Sequence, residues 1–343
     1  LEFVIFNSKL VVMRNLIKAG VLVLALITGV TGHSQTDPHF SQYYSYPLWL
    51  NPALTGAIDG NYRVTAMYRS QWGGVTNPFT TPGVSADIPT NKNVSIGISV
   101  MNQKAGDIGY NYLTGYATMA YNGVRFGYHQ ISLGMALGII NRRFDQSKFQ
   151  TGDQWNPITG YNNTASSEIL SKTSATAFDA GAGAVYYDGT PGKKANAFGG
   201  ISVYHLSRPQ DPFFSGAINE RMPMRITAHG GLKINVNEDI SVTPNLLYMR
   251  EGNAQERMVG AYTQMRVNEL TDFLLGANYR FKDAFSPYAG VYYKNFMIGV
   301  SYDINTSDLG KVAGNANNFE ISLTLIGRKP AEADGIPFVC PRL

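Results

Sequence analysis

The side chains of this 343-residue chain that could break or make bonds are five histidines, one cysteine and a scatter of carboxylates. A hydrolytic centre needs a nucleophile, a histidine within hydrogen-bond reach of it, and a carboxylate to orient the ring. His129, His205 and His229 stand near extended segments, but no such cluster is visible in the order of residues, and there is no G-x-S-x-G elbow, H-E-x-x-H pair, phosphate-binding glycine loop or calcium-loop spacing. His229 shares a polar face with Arg225 and Lys233, where it reads as a hydrogen-bonding group. Cys340 has no second cysteine for a disulfide or a metal cage, and no pKa-lowering neighbour to make it a nucleophile. These residues predict a protein that is not an enzyme, with no metal and no cofactor.

The elements that carry these groups are strands. Only 15% of the chain is charged, against roughly 25% in a soluble domain, while 21 tyrosines and 17 phenylalanines exclude a disordered chain. The +4 charge is spread without a Lys/Arg run, which argues against a nucleic-acid partner. Residues 1–12 read as translated upstream sequence, and residues 13–34 as a signal peptide: Met13, Arg14 and Lys18, the apolar run Ala19 to Val30, then small residues to Ser34. No cysteine follows that run, so no lipid anchor is expected, and no later stretch reaches the roughly 18 apolar residues of a spanning helix.

From Ile131 every second residue is large and apolar (Ile131, Leu133, Met135, Leu137, Ile139), with Ser132, Gly134, Ala136 and Gly138 between them. A period of two is a strand. The same alternation recurs along the chain and predicts an all-β, transmembrane outer-membrane β-barrel of about 14 antiparallel strands, at 61–70, 82–88, 93–103, 110–122, 129–144, 175–188, 195–205, 222–235, 239–250, 255–267, 271–281, 285–293, 295–304 and 316–327. Long links follow the fifth, seventh and thirteenth strands and short ones the eighth, tenth and twelfth, the alternation of external loops and periplasmic turns. The short link after the eleventh strand breaks it. A soluble sandwich would alternate too, but its solvated face would be rich in Lys and Glu. Here that face is mostly Ser, Gly, Thr, Ala and Asn. Tyr62, Tyr68, Tyr110, Tyr121, Tyr187, Tyr248, Tyr288 and Tyr302 suit interfacial girdles.

Arg63, Arg225, Lys233, Arg266 and Arg280 would then face the lumen, either lining a polar conduit or pairing with Asp87, Asp179, Glu256 or Glu320 to close it. The small residues of the inward face favour the closed form. Ahead of the barrel (60–328, with a tail at 329–343) lies a leader, residues 35–59, rich in proline and aromatics and without strand period. So much apolar surface should not stay in water, so the leader either plugs the lumen or docks on a partner, and closure within one chain costs less entropy.

That leader reads Gln35-Thr36-Asp37-Pro38-His39-Phe40-Ser41-Gln42-Tyr43-Tyr44 and Pro47-Leu48-Trp49-Leu50-Asn51-Pro52-Ala53-Leu54-Thr55-Gly56. It resembles the opening signature of the PorP/SprF family, and the likeness continues through Tyr68-Arg69-Ser70-Gln71-Trp72, Ser301 to Leu309, and Cys340-Pro341-Arg342. The resemblance implies an outer-membrane barrel of the type IX secretion and gliding apparatus of Bacteroidetes, both termini periplasmic. Implied partners are outer-membrane lipids and either a periplasmic ring lipoprotein or a large secreted adhesin that the protein anchors. The alternative is a porin-like barrel for a small solute. On this reading the residues for folding or partner docking are Pro38, Phe40, Ser41, Gln42, Tyr43, Trp49, Asn51, Pro52, Gly56, Arg69, Trp72, Ser301, Tyr302, Asp303 and Ser307, with Phe149, Trp155, Phe213 and Phe214 as aromatic loop contacts for cargo. Trp49, Asn51, Pro52 and Gly56 should set the leader's conformation.

Overall fold

The computed structural model describes residues 37–73, 77–90, 93–105, 109–145, 148, 154–162, 173–210, 221–307 and 318–327. The signal peptide expected at 13–34, the tail with Cys340, and the loop residues Phe149, Phe213 and Phe214 lie outside the described residues.

Fourteen antiparallel strands close into one barrel. In chain order they are β1 (Tyr62–Gln71), β2 (Phe79–Pro89), β3 (Val94–Ala105), β4 (Tyr110–Phe126), β5 (His129–Arg143), β8 (Ser174–Asp188), β9 (Ala195–Tyr204), β10 (Arg225–Asn235), β11 (Ile240–Glu251), β12 (Ala254–Asn268), β13 (Thr271–Arg280), β14 (Ala284–Tyr293), β15 (Phe296–Asn305) and β16 (Asn318–Gly327). A two-stranded hairpin, β6 (Trp155–Asn156) with β7 (Gly160–Tyr161), stands outside it. Each barrel strand pairs with its sequence neighbours, and β1 seals against β16 from Tyr62↔Gly327 to Gln71↔Asn318. All fourteen expected strands are present, and at ten residues or more each is long enough to cross a bilayer at barrel tilt.

The pleat sorts the side chains as the alternation requires, but with the polarity of a soluble protein reversed. On β5, Leu133, Met135, Leu137 and Ile139 are exposed, whereas Ser132 and Ala136 are buried. On β1, Arg63, Thr65 and Arg69 are buried while Tyr62, Val64 and Tyr68 face outward. An apolar exterior around a polar interior is stable only with lipid outside. Tyr187 and Tyr288 depart from the girdle expectation: both are buried and point into the lumen, because their pleat positions face inward, and Tyr186 next to the first is the exposed one. Arg266 is exposed, beside a register shift between Arg266 and Asn268.

One end of the barrel carries the tight links 127–128, 269–270 and 294–295, and the other the long links 144–173, 205–224 and 306–317. We call these the turn end and the loop end. Two loop-end links are also short, at 252–253 and 281–283.

Candidate functional site

The leader occupies the lumen. Within 37–58 it makes a 3-10 turn at Tyr43–Ser45, one α-helical turn at Pro47–Leu50 and a second 3-10 turn at Pro52–Leu54. Pro47 and Pro52 each open a turn, where a missing N–H costs nothing. Asn51 caps the last one, its Oδ1 accepting from Ala53 N at 2.9 Å. Gly56 has φ +68°, a conformation that turns the chain toward β1, and its N–H donates to Asp87 Oδ2 at 2.7 Å. Asn51, Pro52 and Gly56 thus stand at the leader's turns, and Trp49 lies within the helical turn Pro47–Leu50.

Leader aromatics pack with wall residues such as Met67, Met101 and Leu247 in the larger apolar cluster of the interior among the described residues. Phe40 meets Tyr46 and Trp49 edge-on at 5.6 and 5.3 Å, and Tyr44 contacts Tyr262 and Tyr288 of the wall at 5.5 and 5.6 Å. Each buried ring stabilises the seat by about 1.5–3 kcal/mol. Tyr46 reaches the opposite wall, its hydroxyl 2.9 Å from Ser99 Oγ.

Polar bonds set the register of the leader. The N–H groups of Ser41 and Gln42 donate to the two oxygens of Glu320 at 2.7 and 2.9 Å. Ser41 Oγ donates to Asp303 at 2.6 Å, and Gln42 Nε2 to Ser301 Oγ at 3.0 Å. Arg69 pairs with Glu320 and, at 3.1 Å, with Asp303; Arg280 pairs with the same Asp303 at 2.9 Å. Two guanidinium groups thus share the buried carboxylates of Asp303 and Glu320, Arg280 also reaching Asp283, in a site where removing one partner of a buried pair costs about 3–5 kcal/mol. Ser41, Gln42, Arg69, Ser301 and Asp303, picked from distant stretches of sequence, meet here. Arg280 and Glu320 join them, Glu320 through Arg69 and Arg280 through Asp303, partners outside the set of lumen charges considered from the sequence. Arg63 pairs with Asp87 at 2.8 Å, one of the pairings the sequence left open, and Asp179 pairs with a histidine instead of an arginine.

Midway, the wall makes room. A Cβ on Gly134 of β5 would lie 2.3 Å from Ala53 N, and one on Gly183 of β8 would lie 2.1 Å from Asn51 Oδ1. Asn51 Nδ2 donates to Ala184 O at 3.2 Å and Ile201 O at 3.0 Å, and lies 3.3 Å from His229 Nε2. His229 is thus a hydrogen-bonding residue of the lumen.

At the loop end Asp37 is gripped by three wall residues. Its Oδ2 lies 2.7 Å from Arg225 Nη1 and 3.0 Å from His205 Nε2, and its Oδ1 accepts from Tyr112 at 2.6 Å. His205 Nδ1 is 2.8 Å from Asp179. Burial opposes charge on this imidazole, but Asp37 and Asp179 outweigh it and push its pKa up to about 9. Burial likewise works against ionised Asp37, yet His205 and Arg225 hold its carboxyl below the usual range. With both ring nitrogens committed to carboxylates, His205 has none to offer a nucleophile.

The leader therefore runs from the loop end, at Asp37, to the turn end, where it enters β1 at Tyr62. Asp37 and the last described residue, Gly327, lie at opposite ends of the barrel: an even strand number brings residues 62 and 327 together, but the leader doubles back through the lumen. The termini themselves lie outside the described residues. Of the remaining predicted residues, Pro38 is buried with the leader and Tyr43 donates to Asn245 at 2.8 Å. Trp72 closes the end of β1 with φ +59° and stacks edge-on with Phe79 at 4.9 Å. Ser307 caps the end of β15 against Asn305 at 2.8 Å. Tyr302 and Trp155 are exposed, the first on the lipid-facing side of β15 and the second on the outer hairpin. Asp37, Tyr112 and His39, whose Nε2 lies 3.4 Å from Arg69 Nη2, are site residues that the sequence reading does not single out; the signal available was their place in or opposite the leader.

The chain matches the model of the family described as type IX secretion system membrane protein PorP/SprF over residues 32–325. No curated protein matches it. Among solved structures it is similar to the Ralstonia pickettii toluene transporter TbuX, with 11% identity, 82% of this chain and 93% of that chain covered, and a TM-score of 0.49. It is also similar to the P. putida toluene transporter TodX, at 11% identity, 82% and 93% coverage and a TM-score of 0.46.

Proposed function

Because the chain belongs to the PorP/SprF family of type IX secretion system membrane proteins, an outer-membrane β-barrel family, we propose that it serves the secretion and gliding machinery as a non-enzymatic accessory or anchor. It holds a large secreted adhesin, or joins the barrel to a periplasmic ring lipoprotein, through its loops and its plugged lumen. The observation that supports this reading is the leader, which fills the lumen from Asp37 to Gly56 and bonds to both walls along its course. A conduit for a small solute needs free cross-section, whereas a docking body needs a rigid one.

The experiment is to tag the protein in its own host, solubilise the outer membrane gently and identify what co-purifies by mass spectrometry. Recovery of an adhesin or a ring lipoprotein supports the anchor and says which partner it serves. A solitary barrel with steady conductance in a planar bilayer would replace it with the transport reading. Deleting 35–59 should leave a heat-modifiable barrel that no longer supports secretion; secretion by that variant would make the leader dispensable.

A further inference from the structure

The contacts of Asp37 are unlike those of the rest of the leader. Elsewhere the leader meets the wall through amides, hydroxyls and carbonyls that both donate and accept, whereas Asp37, its one buried carboxylate among the described residues, meets three wall donors. The three donors come from separate elements: Tyr112 from β4, His205 from the link after β9, and Arg225 from the start of β10. Wall contacts hold two of them without Asp37. His205 has φ +60°, a left-handed conformation rare outside glycine, with Asp179 on its Nδ1 and Leu206 N bonded to Ala180 O at 3.0 Å. The Arg225 guanidinium lies 4.7 Å over the Tyr204 ring of the wall, and its other contacts besides Asp37 are to the leader's Trp49, over the ring at 4.6 Å and to the carbonyl at 3.0 Å.

Asp37, His205 and Glu251 also bring ligand atoms within 4.8 Å of one another, a spacing that would suit a cation. The geometry speaks against one. Asp37 Oδ2 is already occupied by a guanidinium and an imidazole nitrogen and Oδ1 by a phenol, so a metal ion would have to displace a charge of its own sign.

We propose that Tyr112, His205 and Arg225 form a carboxylate-binding site at the loop end of the lumen, which Asp37 fills from within the chain and which an external carboxylate fills when Asp37 is withdrawn. Glu251 and Asp179 offset the two cations nearby, so the site takes one monoanion by directed donors and rejects a dianion such as sulfate. A carboxylate reaching it from the loop side competes with the leader for the same three groups.

The test is chemical rescue of the full chain carrying Asp37→Ala. Its refolding yield in detergent, scored as heat-modifiable barrel on a gel, should fall below that of the unaltered chain and recover with millimolar sodium acetate, a concentration above the tightest binding, in the tens of micromolar, that about four heavy atoms can give. Sodium chloride or sulfate at equal ionic strength should not restore it. If the variant fails to fold at all, the acetate-dependent yield is still the readout. An end-capped Asp-Pro-His peptide is the second probe: rescue by acetate supports a site for small carboxylic acids and peptides alike, and rescue by the peptide alone supports one that also needs flanking residues. Rescue by neither probe, equal rescue by sulfate, or undiminished rescue when Arg225→Gln is added would overturn the proposal.

Discussion

Replacing Gly134 by alanine tests whether the wall was shaped around the leader. The added Cβ would sit 2.3 Å from Ala53 N, 2.4 Å from Pro52 C and 2.5 Å from Ala53 Cα, where ordinary van der Waals contact begins near 3.4 Å. All three atoms are leader backbone, so the leader must shift by about 1 Å. Overpacking of this kind costs about 1–3 kcal/mol. The shift also draws Asn51 from Ala184 O and Ile201 O, and each buried bond lost adds about 1 kcal/mol. The leader's seat should therefore weaken by about 3–5 kcal/mol, while β5 itself, in which alanine is an acceptable strand residue, stays paired. Gly115 on the adjacent β4 is the control, because a Cβ there meets nothing within 4 Å. The two variants would be compared by the temperature of the gel-shift transition and by conductance in planar bilayers. Gly134→Ala should melt earlier and show openings that Gly115→Ala does not. If the two variants behave alike in both assays, the close contact between wall and leader is not what closes this barrel.

Other perturbations report on different parts of the same arrangement. Glu320→Gln should cost about 3–5 kcal/mol by leaving the buried Arg69 to share Asp303 with Arg280 and weakening the hold on Ser41 and Gln42, read as a lower denaturation midpoint in detergent. The His205 pKa is raised in the folded state, so the stability it contributes is complete below its ordinary value of 6.5 and lost as pH rises through about 9. The unfolding midpoint should fall across that window, and His205→Gln should flatten the dependence. Leu137→Arg, on the lipid face of β5, should cost about 2–4 kcal/mol if that face spans the bilayer, measured by refolding into vesicles. A fall no larger than that of Leu137→Ala would place Leu137 away from the hydrocarbon.

Much of this architecture was legible in the order of residues because strand periodicity is local. Side chains two apart share a face, so Leu133, Leu137 and Ile139 declared an apolar side and Ser132 and Ala136 a small polar one without reference to any other strand. The lack of charge and the small polar residues of the other face then told which side met lipid, and the leader's prolines, with Asn51 and Gly56, announced turns where turns occur. The tyrosines mark the limit of that reasoning: Tyr186 and Tyr187 are chemically the same, and only the register of β8 in the closed barrel turns the first outward and the second into the lumen. The leader's seat lies further still from what composition can tell. Ser41 and Glu320 are 279 positions apart, and Asp37 meets Arg225 across 188. Whether the leader would plug or dock depended on which inward groups the closed barrel brings opposite one another. That is settled by β1 sealing against β16, and by Gly134 and Gly183 leaving space where the leader's backbone comes closest. Local pattern determines the strands; complementarity between surfaces far apart in the chain exists only once the barrel has closed.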